Sequence, residues 1–464
     1  MKNPFSNLSS NENIVSNSKY IKKNDIFLSL RGGAKYLTTD QIKLVKHIFL
    51  DSNDNIHLPK VSKIRGLNSS YLKWLDEYFE IDHSSFNNLF ITGTNGKTSA
   101  LNFLSQILGK NVIKHASTGT LGTFINDQKI YNNELTTEEP VFIRNLMSKC
   151  FQLNIKNIIF EASSIGVDKN RLEGLKIDHA IFTNISRDHL DYHGSLRNYV
   201  DAKFRLVSNT KAKTVAINFD DEIISSQLRK ISSNQTFKIS SKNNKSDIYF
   251  KVLKFYEDGN VRFLAETPWG KFEAASKIES EFNLYNLFLS LPYFQFINND
   301  CEGFFAEVEK ISLPIGRLNK TARENIYIDY AHSPEALESV CKYLYKKKKN
   351  KLVIVFGAGG ERDKGKRGQM GEVADKYCEK IYITSDNPRN EDPQKIADMI
   401  IGGVKGFEKI CVELDRASAI KNAINELSEE DILLIAGKGH ENKQIIGNKC
   451  LDFSDFEEVK KCTA

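Results

Sequence analysis

The segment at residues 89–99 constrains the fold more than any other part of this chain. An apolar run leads into a glycine-rich turn that ends in Gly96-Lys97-Thr98, and a helical pattern follows at once. A strand, a glycine turn and a helix in this order let backbone N–H groups and the helix N-terminus surround an anion. The segment therefore predicts an α/β fold with a phosphate-binding loop. Because Gly93 and Gly96 lie closer together than in the usual loop of this kind, an ordinary glycine turn is the alternative.

Four side chains indicate what such a loop would bind. Lys97 can reach the outer phosphates of a nucleotide, and Thr98 can offer its hydroxyl to Mg²⁺. Glu161 and His189 each follow an apolar run that we predict to be a strand. A carboxylate and an imidazole near a phosphate loop could hold Mg²⁺. Single residues of either type are more often structural, so chemistry alone leaves both interpretations open.

The last third of the chain alternates strand and helix patterns. This alternation predicts a parallel, doubly wound sheet, in which ligands bind at the carboxyl ends of the strands. Those ends carry polar, glycine-marked loops at 357–363, 386–389 and 437–441, which predict a binding site on one edge of the sheet. The predicted strands lie near 352–356, 381–384 and 432–436, and the predicted helices near 371–378, 393–401 and 416–427.

The patterns divide the chain into three predicted domains. A length of 464 residues is enough for about two to four of them. We expect an N-terminal domain at 1–86, with short strands such as one at 25–30. A central domain at 87–313 would carry the phosphate loop and a mostly parallel sheet, and a doubly wound, Rossmann-like domain would follow at 314–464.

Composition narrows the classes of partner. A net charge of +6, spread along the chain, suits acidic small-molecule ligands and does not argue for nucleic acid. The seven cysteines are scattered and never form a C-x-x-C pair, so we expect reduced thiols rather than disulfides or a zinc site. No segment is apolar enough to span a bilayer. We therefore expect a cytoplasmic protein that binds neither nucleic acid nor membrane.

Short motifs along the chain point to one family. They are the loop itself at 93–98, Glu-Ala-Ser-Ser at 161–164, the polar run at 184–194, Asp-Ala-Lys-Phe at 201–204, the run at 329–334, Asp-Asn-Pro-Arg at 386–389 and the run at 437–441. In order and spacing they resemble the Mur ligases, the ATP-dependent amino-acid ligases of peptidoglycan precursor synthesis. Within that family the chain is most similar to the UDP-N-acetylmuramoyl-tripeptide synthetases, which add the third residue. The short glycine loop is the form that this family uses.

The resemblance implies a reaction. The three domains would bind, in order, the UDP-sugar peptide, ATP and the incoming amino acid. ATP would phosphorylate the D-glutamate carboxylate of UDP-N-acetylmuramoyl-L-alanyl-D-glutamate, and the amine of meso-2,6-diaminopimelate would attack the acyl phosphate. Attack of a carboxylate on a γ-phosphate brings two anions together, so Lys97 and Mg²⁺ would have to neutralise charge. The family also implies a monomer.

The resemblance assigns the catalytic and metal-binding roles. Lys97 would act on the phosphates, and Thr98, Glu161 and His189 would bind Mg²⁺. Lys203 would become a carbamate, formed from CO₂, that helps to bind a second Mg²⁺; taken alone, it reads as a surface lysine on an amphipathic helix. His193 is the more plausible structural histidine. The implied ATP-binding residues are Gly93, Thr94, Asn95, Gly96, Lys97, Thr98, Asn283, Asn286, Arg317, Asp329 and His332.

The same resemblance assigns the UDP-sugar peptide site, with two departures from the family pattern. The first domain reads Asn17-Ser18-Lys19 where the family has Asp-Ser-Arg, and Lys169 stands at a position where the family has glutamine. Polar contacts remain possible at both places, but the sequence does not define which contacts hold the uridine and the peptide. The implied residues are Ser18, Thr136, Thr137, Ser163, Lys169 and Arg171.

Arg389 allows a physical argument about the third residue. The form Asp386-Asn387-Pro388-Arg389 is associated with addition of meso-diaminopimelate, whereas lysine-adding relatives lack the arginine. Diaminopimelate carries a second carboxylate that an arginine fork can bind with two hydrogen bonds. On its own, Arg389 could also be an exposed loop residue. The resemblance completes the pocket with Arg362, Gly437 and Glu441, the last as acceptor for the distal ammonium group.

Other functions remain to be separated from this one. The nearest are ligases of the same fold that add L-lysine, or glutamate on folate as in folylpolyglutamate synthases. A non-catalytic nucleotide sensor would have little use for the full set of Lys97, Thr98, Glu161, His189 and Lys203. A GTPase-like switch would not account for the predicted sheet of the C-terminal domain or for the polar loops at its edge. Hydrolysis of ATP that depends on both peptide and amino acid would distinguish a ligase from a sensor.

Overall fold

Three β-sheets, one after another along the chain, organise the molecule. The structure is a computed structural model that describes residues 3–6, 8, 12–208, 210–256 and 259–463. Within these ranges the strands form a four-stranded, an eleven-stranded and a six-stranded sheet, together with a two-stranded hairpin. The same residues include no helix that is both long enough and apolar enough to cross a membrane.

The N-terminal sheet is parallel and has its strands in sequence order. Phe5, Ile26 and Trp74 pack on one face of this sheet, and Phe27 and Ile48 lie in the core of the other. The strand predicted at 25–30 is shorter than expected. The elements are β1 (Ile14–Val15), β2 (Ile26–Leu28), α1 (Thr39–Leu44), β3 (His47–Asp51), β4 (Val61–Ile64) and α2 (Leu67–Tyr78).

The central sheet is mostly parallel, as predicted. The elements of its first half are β5 (Asn87–Thr92), α3 (Lys97–Lys110), β6 (His115–Gly119), β7 (Gly122–Ile125), β8 (Gln128–Tyr131), α4 (Pro140–Gln152), β9 (Asn157–Glu161), α5 (Ser164–Asp168), β10 (His179–Phe182), α6 (Leu190–His193) and α7 (Leu196–Ser208). Those of its second half are β11 (Ala212–Asn218), α8 (Glu222–Ser226), β12 (Ser233–Ser240), β13 (Ile248–Phe255), β14 (Val261–Thr267), β15 (Gly270–Ser276), α9 (Glu281–Phe288), α10 (Leu291–Asn298) and α11 (Glu302–Glu307).

Strand β5 lies inside this sheet, between β9 and β10, and is parallel to both. Leu89 and Ile91 pack against α3 on one face, while Phe90 stacks on Phe160 on the other, with ring centroids 4.9 Å apart. Burial on both faces explains why the strand reads as a continuous apolar run. Because β5, β9 and β10 are parallel, their carboxyl ends bring the phosphate loop, Glu161 and the segment that follows β10 to one edge.

The C-terminal sheet is doubly wound, which confirms the predicted α/β fold class. Leu352, Ile354 and Phe356 of one strand face one core, and Val353 and Val355 face the other. The elements are β16 (Asn319–Lys320), β17 (Ile326–Asp329), α12 (Pro334–Lys347), β18 (Leu352–Phe356), α13 (Gly365–Tyr377), β19 (Lys380–Ile383), α14 (Pro393–Ile401), β20 (Ile410–Val412), α15 (Arg416–Asn425), β21 (Ile432–Ala436), β22 (Lys443–Ile446), β23 (Lys449–Asp452) and α16 (Asp455–Thr463).

The three predicted strands and three predicted helices of this region all exist, but one boundary was clearly wrong. The helix predicted near 371–378 begins earlier, at Gly365. Its first turn contains two glycines and two cations and therefore resembles a loop in sequence. In the structure Lys366 and Arg367 are buried, and Arg367 donates two hydrogen bonds to Glu391, 2.6 and 2.8 Å long. Tertiary ion pairing thus stabilises a helical turn that sequence periodicity does not indicate.

Candidate active site

A cavity of about 520 Å³ lies between the carboxyl edge of the central sheet and the C-terminal sheet. The phosphate loop forms one wall, and the segment 329–332 forms the opposite wall. Of the residues predicted to bind ATP or metal, only Gly93 and Lys203 are outside this lining; Gly93 is the first residue of the loop, and Lys203 donates a hydrogen bond to its carbonyl oxygen. The lining includes Thr94, Asn95, Gly96, Lys97, Thr98, Glu161, His189, Asn283, Asn286, Arg317, Asp329 and His332.

Steric contacts explain why both positions of the loop are glycine. Gly93 and Gly96 have φ values of +146° and +84°. A Cβ atom at Gly93 would lie 1.9 Å from Thr183 Oγ1, and one at Gly96 would lie 2.2 Å from Asn286 Oδ1. The loop is therefore covered by side chains from the end of β10 and from α9, and only glycine leaves room for them.

Gly96→Ala should weaken nucleotide binding by at least tenfold, because the new methyl group would displace Asn286 as well as strain the backbone. Strain alone costs about 1 kcal/mol. Gly194→Ala is the matched control, since Gly194 has a φ of +73° but no atom within 4 Å of its ideal Cβ position. Titration calorimetry with ATP measures the difference. Equal losses in both variants would show that cover by Asn286 is unimportant.

Two lysine side chains converge on the backbone of the loop. Lys97 Nζ donates to the carbonyl oxygens of Gly93 and Thr94, at 2.8 Å each, and Lys203 Nζ donates to Gly93 O at 2.7 Å. Burial lowers the pKa of Lys97, against the charge of Glu161. Burial and the charge of Lys97 hold the pKa of Lys203 well below its usual value. Lys203 is thus a buried lysine whose surroundings disfavour the charged form, not the surface lysine that a helical pattern suggests.

Glu161 is a buried carboxylate surrounded by hydroxyl groups. Its Oε2 accepts hydrogen bonds from Thr98 Oγ1 at 3.2 Å and Thr120 Oγ1 at 3.1 Å, and its Oε1 accepts one from the Thr120 backbone N–H at 3.0 Å. Burial raises its pKa, and the nearby Lys97 opposes that shift. A Cβ atom at Gly119 would lie 2.3 Å from Glu161 Oε1, so a glycine is needed where the carboxylate enters the cavity.

His189 borders the same cavity from a left-handed backbone position, with a φ of 53°, at the start of α6. Burial lowers the pKa of its ring to about 4, so the ring is neutral at pH 7 and can act as a metal ligand. Its Nε2 lies 3.5 Å from Asp188 Oδ2. His193 instead is buried with its Nε2 3.0 Å from Ser164 Oγ, away from the lining of the cavity.

The donor set at this edge fits Mg²⁺ held together with a nucleotide. Among the described residues no three His, Cys, Asp or Glu side chains are arranged to hold a metal ion by themselves. Thr98, Glu161 and the neutral His189 nevertheless face one cavity. Mg²⁺ usually takes one or two carboxylates and completes its shell with water and substrate phosphates. The chemistry of these side chains is therefore compatible with Mg²⁺. The described side chains do not complete the coordination of the ion by themselves.

Residues of the C-terminal region reach across the cavity. Arg317 Nη2 lies 3.4 Å from Thr98 Oγ1, and its guanidinium stacks 4.3 Å from the ring centroid of Tyr330. The carboxylate of Asp329 accepts backbone hydrogen bonds from Leu318 at 2.6 Å and Ala331 at 2.7 Å. Asp329 therefore fixes the backbone beside Arg317, a role that the sequence did not indicate.

Most residues predicted for the UDP-sugar peptide lie close together beside Glu161. Thr137 Oγ1 donates to the Glu161 carbonyl at 2.8 Å and lies 3.0 Å from Ser163 Oγ, while Arg171 Nη1 donates to the Thr137 carbonyl at 3.1 Å. Thr136 Oγ1 is 3.1 Å from Thr120 Oγ1. Lys169, one of the two departures from the family pattern, has its Nζ 5.8 Å from the ring centroid of Tyr192.

Ser18 lies apart from this group, in a single 3₁₀ turn of the N-terminal region. Asn17 caps that turn by accepting a hydrogen bond from the Lys19 backbone N–H at 3.0 Å, and Lys19 forms an ion pair with Glu134 of the central region. The two residues that differ from the family motif, Asn17 and Lys19, thus both have structural partners. A second cavity, of about 520 Å³, is bordered by Asn17, Lys19 and residues of α4.

Arg389 lies at the rim of the C-terminal sheet, and among the described residues its guanidinium is held only by backbone oxygens. Its Nη1 donates to Gly360 O at 2.6 Å, and burial together with the charge of Arg362 lowers its pKa. Its backbone, at a φ of 52°, is fixed by the hairpin of β22 and β23: its N–H donates to Ile445 O at 3.0 Å, and its carbonyl accepts from the Gly447 N–H at 2.7 Å.

The neighbouring Arg362 is only loosely paired. Its Nη1 lies 4.0 Å from Asp191 Oδ2, at the limit of an ion pair, and about half of its side chain is exposed. Arg362 and Arg389 thus place two like charges close together, and the carboxylates of Asp386, Glu441 and Glu361 partly offset the effect of Arg362 on the pKa of Arg389. Such a pair of guanidinium groups is suited to bind the carboxylate of a ligand.

Lys438 is a site residue that sequence reasoning missed. It is fully buried, and its Nζ donates to Glu441 Oε2 at 3.0 Å and to Asn387 Oδ1 at 3.2 Å. Asn387 Nδ2 donates to the same Glu441 oxygen at 2.9 Å, so Glu441 is already fixed by two partners. The flanking glycines Gly437 and Gly439, both with positive φ, were the available signal of a special loop.

Comparisons with known proteins agree with this architecture. Residues 91–292 match the Mur ligase middle domain, and residues 316–439 match the domain described as Mur ligase, glutamate ligase domain. The protein named UDP-N-acetylmuramoyl-L-alanyl-D-glutamate--2,6-diaminopimelate ligase from Rickettsia conorii is 36% identical over 468 residues, which cover 96% of this chain and 94% of that protein. The protein of the same name from Aquifex aeolicus is 32% identical, with 97% and 92% covered.

Solved structures resemble the chain over nearly its whole length. A structure of a UDP-N-acetylmuramoyl-L-alanyl-D-glutamate--2,6-diaminopimelate ligase, 28% identical, superposes with a TM-score of 0.61 and covers 97% of this chain and 94% of its own. The MurF ligase from Thermotoga maritima in complex with ADP superposes with a TM-score of 0.66, covering 98% and 97%, and at 15% identity it supports the fold alone. Since relatives more than 30% identical span almost all of it, the chain belongs to the Mur ligase family.

Proposed function

We propose that this chain is an ATP-dependent ligase that adds meso-2,6-diaminopimelate to UDP-N-acetylmuramoyl-L-alanyl-D-glutamate in peptidoglycan precursor synthesis. The proposal depends on one observation: residues suited to bind ATP and residues suited to bind an amino acid lie on two sheets that face each other. The phosphate loop with Lys97 and Glu161 lies on the central sheet. The C-terminal sheet presents Arg389, whose guanidinium is bound only to backbone oxygens in the described part of the chain. The names of the relatives that span the chain support the same substrates.

The side chains suggest how the first step proceeds. ATP would bind along the loop, where its phosphates replace the two carbonyl oxygens that now hold Lys97. Lys97 would then stabilise the charge that builds up as the D-glutamate carboxylate attacks the γ-phosphate. Mg²⁺, held by Thr98, Glu161 and His189, would neutralise the phosphate oxygens. Arg317 would reach the same phosphates from the opposite wall.

Lys203 supports a carbamate at this site. A neutral amine attacks CO₂ through its lone pair, forms an N–C bond and loses one proton, which leaves a negatively charged carbamate. Burial and the charge of Lys97 favour the neutral amine before the reaction. The same Lys97 charge would stabilise the carbamate afterwards, and the new oxygens would add a carboxylate-like ligand for Mg²⁺.

The third-residue pocket would hold diaminopimelate at both of its ends. Arg389 and Arg362 would bind the distal carboxylate, and the free oxygen of Glu441 would accept hydrogen bonds from the distal ammonium group. The near amine would then point toward the acyl phosphate in the cavity. We propose domain boundaries at 1–86, 87–313 and 314–464, with the chain acting as a cytoplasmic monomer on these small-molecule substrates.

Arg389→Ala should raise the KM for meso-diaminopimelate about 30- to 150-fold, because a charge-assisted pair of hydrogen bonds contributes about 2–3 kcal/mol. The assay measures phosphate release from ATP with UDP-N-acetylmuramoyl-L-alanyl-D-glutamate present and diaminopimelate or L-lysine supplied in turn. Arg197→Ala, which removes an exposed arginine of α7, is the matched control and should leave KM unchanged.

The assay also separates the alternatives. A wild-type preference for L-lysine would keep the ligase but refute the role of Arg389. Phosphate release that needs neither peptide nor amino acid would favour a nucleotide sensor and refute the proposed ligase.

A further inference from the structure

Two ion pairs of opposite polarity join the central and C-terminal regions beside the cavity. Arg187 donates from Nε and Nη2 to the two carboxylate oxygens of Asp363, each at 3.0 Å. Its neighbour Asp188 accepts a hydrogen bond from Lys366 Nζ at 3.2 Å. In the segment after β10, a cation (Arg187) is followed by an anion (Asp188). At the start of α13 the order is reversed, with an anion (Asp363) before a cation (Lys366). Only one alignment of the two regions satisfies both pairs.

The surroundings of these pairs are built for close contact. The side chains of Asp188, Asp363 and Lys366 are 5%, 7% and 7% exposed, and that of Arg187 is 37% exposed. A Cβ atom at Gly365 would lie 2.2 Å from Arg187 Nη2, so the helix start leaves space for the guanidinium. Asp363 Oδ1 also accepts a hydrogen bond from the Gly365 backbone N–H at 2.9 Å, which fixes the direction of its carboxylate. A directed contact in which three of the four charged side chains are buried differs from an incidental surface ion pair.

The pairs also connect the two halves of the proposed reaction. Arg362, in the third-residue pocket, directly precedes Asp363, and His189, at the phosphate edge, directly follows Asp188. In the proposed reaction, docking of Asp363 and Lys366 onto the central segment would therefore fix the distance between the bound amine and the acyl phosphate. Positioning at this precision contributes strongly to rates of bimolecular steps.

We propose that Arg187, Asp188, Asp363 and Lys366 form a closure latch, a set of positioning residues that holds the C-terminal region against the central region while the amine attacks. This inference rests on the proposed ligase function for its kinetic consequence only. Its structural consequence, a closed arrangement maintained by these four charges, can be measured without turnover.

Charge reversal tests the latch. Arg187→Asp and Asp363→Arg should each lower kcat for ligation at least tenfold and increase the radius of gyration, measured by small-angle X-ray scattering with a non-hydrolysable ATP analogue. In the double variant two adjacent aspartates of the central segment face two cations at the start of α13, so both pairs are attractive again. It should return the radius of gyration to the wild-type value and kcat to within about fivefold. The remaining deficit reflects the loss of the carboxylate that accepts the Gly365 N–H.

Controls separate the latch from general damage and from failure of the proposed function. Arg262→Asp makes the same charge change at an exposed arginine of β14, paired with Glu273, and should alter neither quantity. Melting temperatures of the single variants should stay within a few degrees of the wild type. Unchanged scattering in both single variants, or a double variant no better than the worse single one, would overturn the latch. If the wild type prefers another amino acid, the scattering comparison still decides.

Discussion

Replacing Lys203 with alanine should lower ligase turnover about 10³-fold, because the variant cannot form the carbamate that we propose as a ligand of Mg²⁺. Short carboxylates such as acetate should restore part of the activity, since the shortened side chain leaves a buried space that ends at the Gly93 carbonyl. The measurement is phosphate release from ATP across an acetate series. Removal of CO₂ and bicarbonate from the wild-type enzyme should likewise lower turnover, and their return should restore it.

Two results would contradict this prediction. Lys203→Ala with wild-type activity would exclude any role for the residue in the reaction. Loss of activity without rescue, and without any effect of bicarbonate on the wild type, would indicate that Lys203 acts as an amine. Lys230→Ala is the control for general effects and should remain active. It removes a lysine that forms an ion pair with Asp201, a residue of the helix α7 that also carries Lys203.

Lys97→Ala should lower turnover at least 10³-fold, with no rescue by acetate. In the proposed mechanism the ammonium group stabilises the charge that develops on the γ-phosphate, and interactions of this kind commonly account for about 10³-fold or more. Affinity for ATP should fall much less, because the backbone N–H groups of the loop remain. Single-turnover measurements of phosphoryl transfer, combined with equilibrium binding of ATP, distinguish the two effects.

Lys97→Arg provides a sharper comparison than alanine alone. A guanidinium keeps the charge but is too broad for a side chain that lies between the carbonyl oxygens of Gly93 and Thr94. We therefore expect Lys97→Arg to remain about 10²-fold impaired or more. Turnover within about tenfold of the wild type in either variant would refute the assigned role.

Local sequence was enough to predict the elements on which the site is built. The phosphate loop, the strands that precede Glu161 and His189, and the alternating strands of the C-terminal sheet were all found from apolar runs and glycine turns. These elements are determined by neighbours in sequence, so their patterns are visible without tertiary information. The order of the motifs along the chain indicated the family, and the resemblance to that family implied the roles of the residues.

Contacts between distant segments could not be predicted in the same way. Thr120 approaches Glu161 from another strand end, and Lys438 is fixed by Asn387, which lies far away in sequence. The first turn of α13 was missed because Lys366 is stabilised by Asp188, a residue of the central region. Each of these features depends on how the sheets meet, and a periodicity along one segment carries no information about that.

The hairpin that fixes the backbone of Arg389 bears on how amino-acid specificity evolves. Ile445 and Gly447 form hydrogen bonds with the backbone of Arg389 and hold it in a left-handed conformation. The direction of the Arg389 side chain therefore depends on a segment outside the Asp-Asn-Pro-Arg motif. If Arg389 selects the amino acid as we propose, a lineage that changes its cell-wall amino acid would have to alter the motif and the hairpin together. Grafting the motif alone onto a lysine-adding relative should therefore fail to transfer specificity, whereas grafting both segments should succeed.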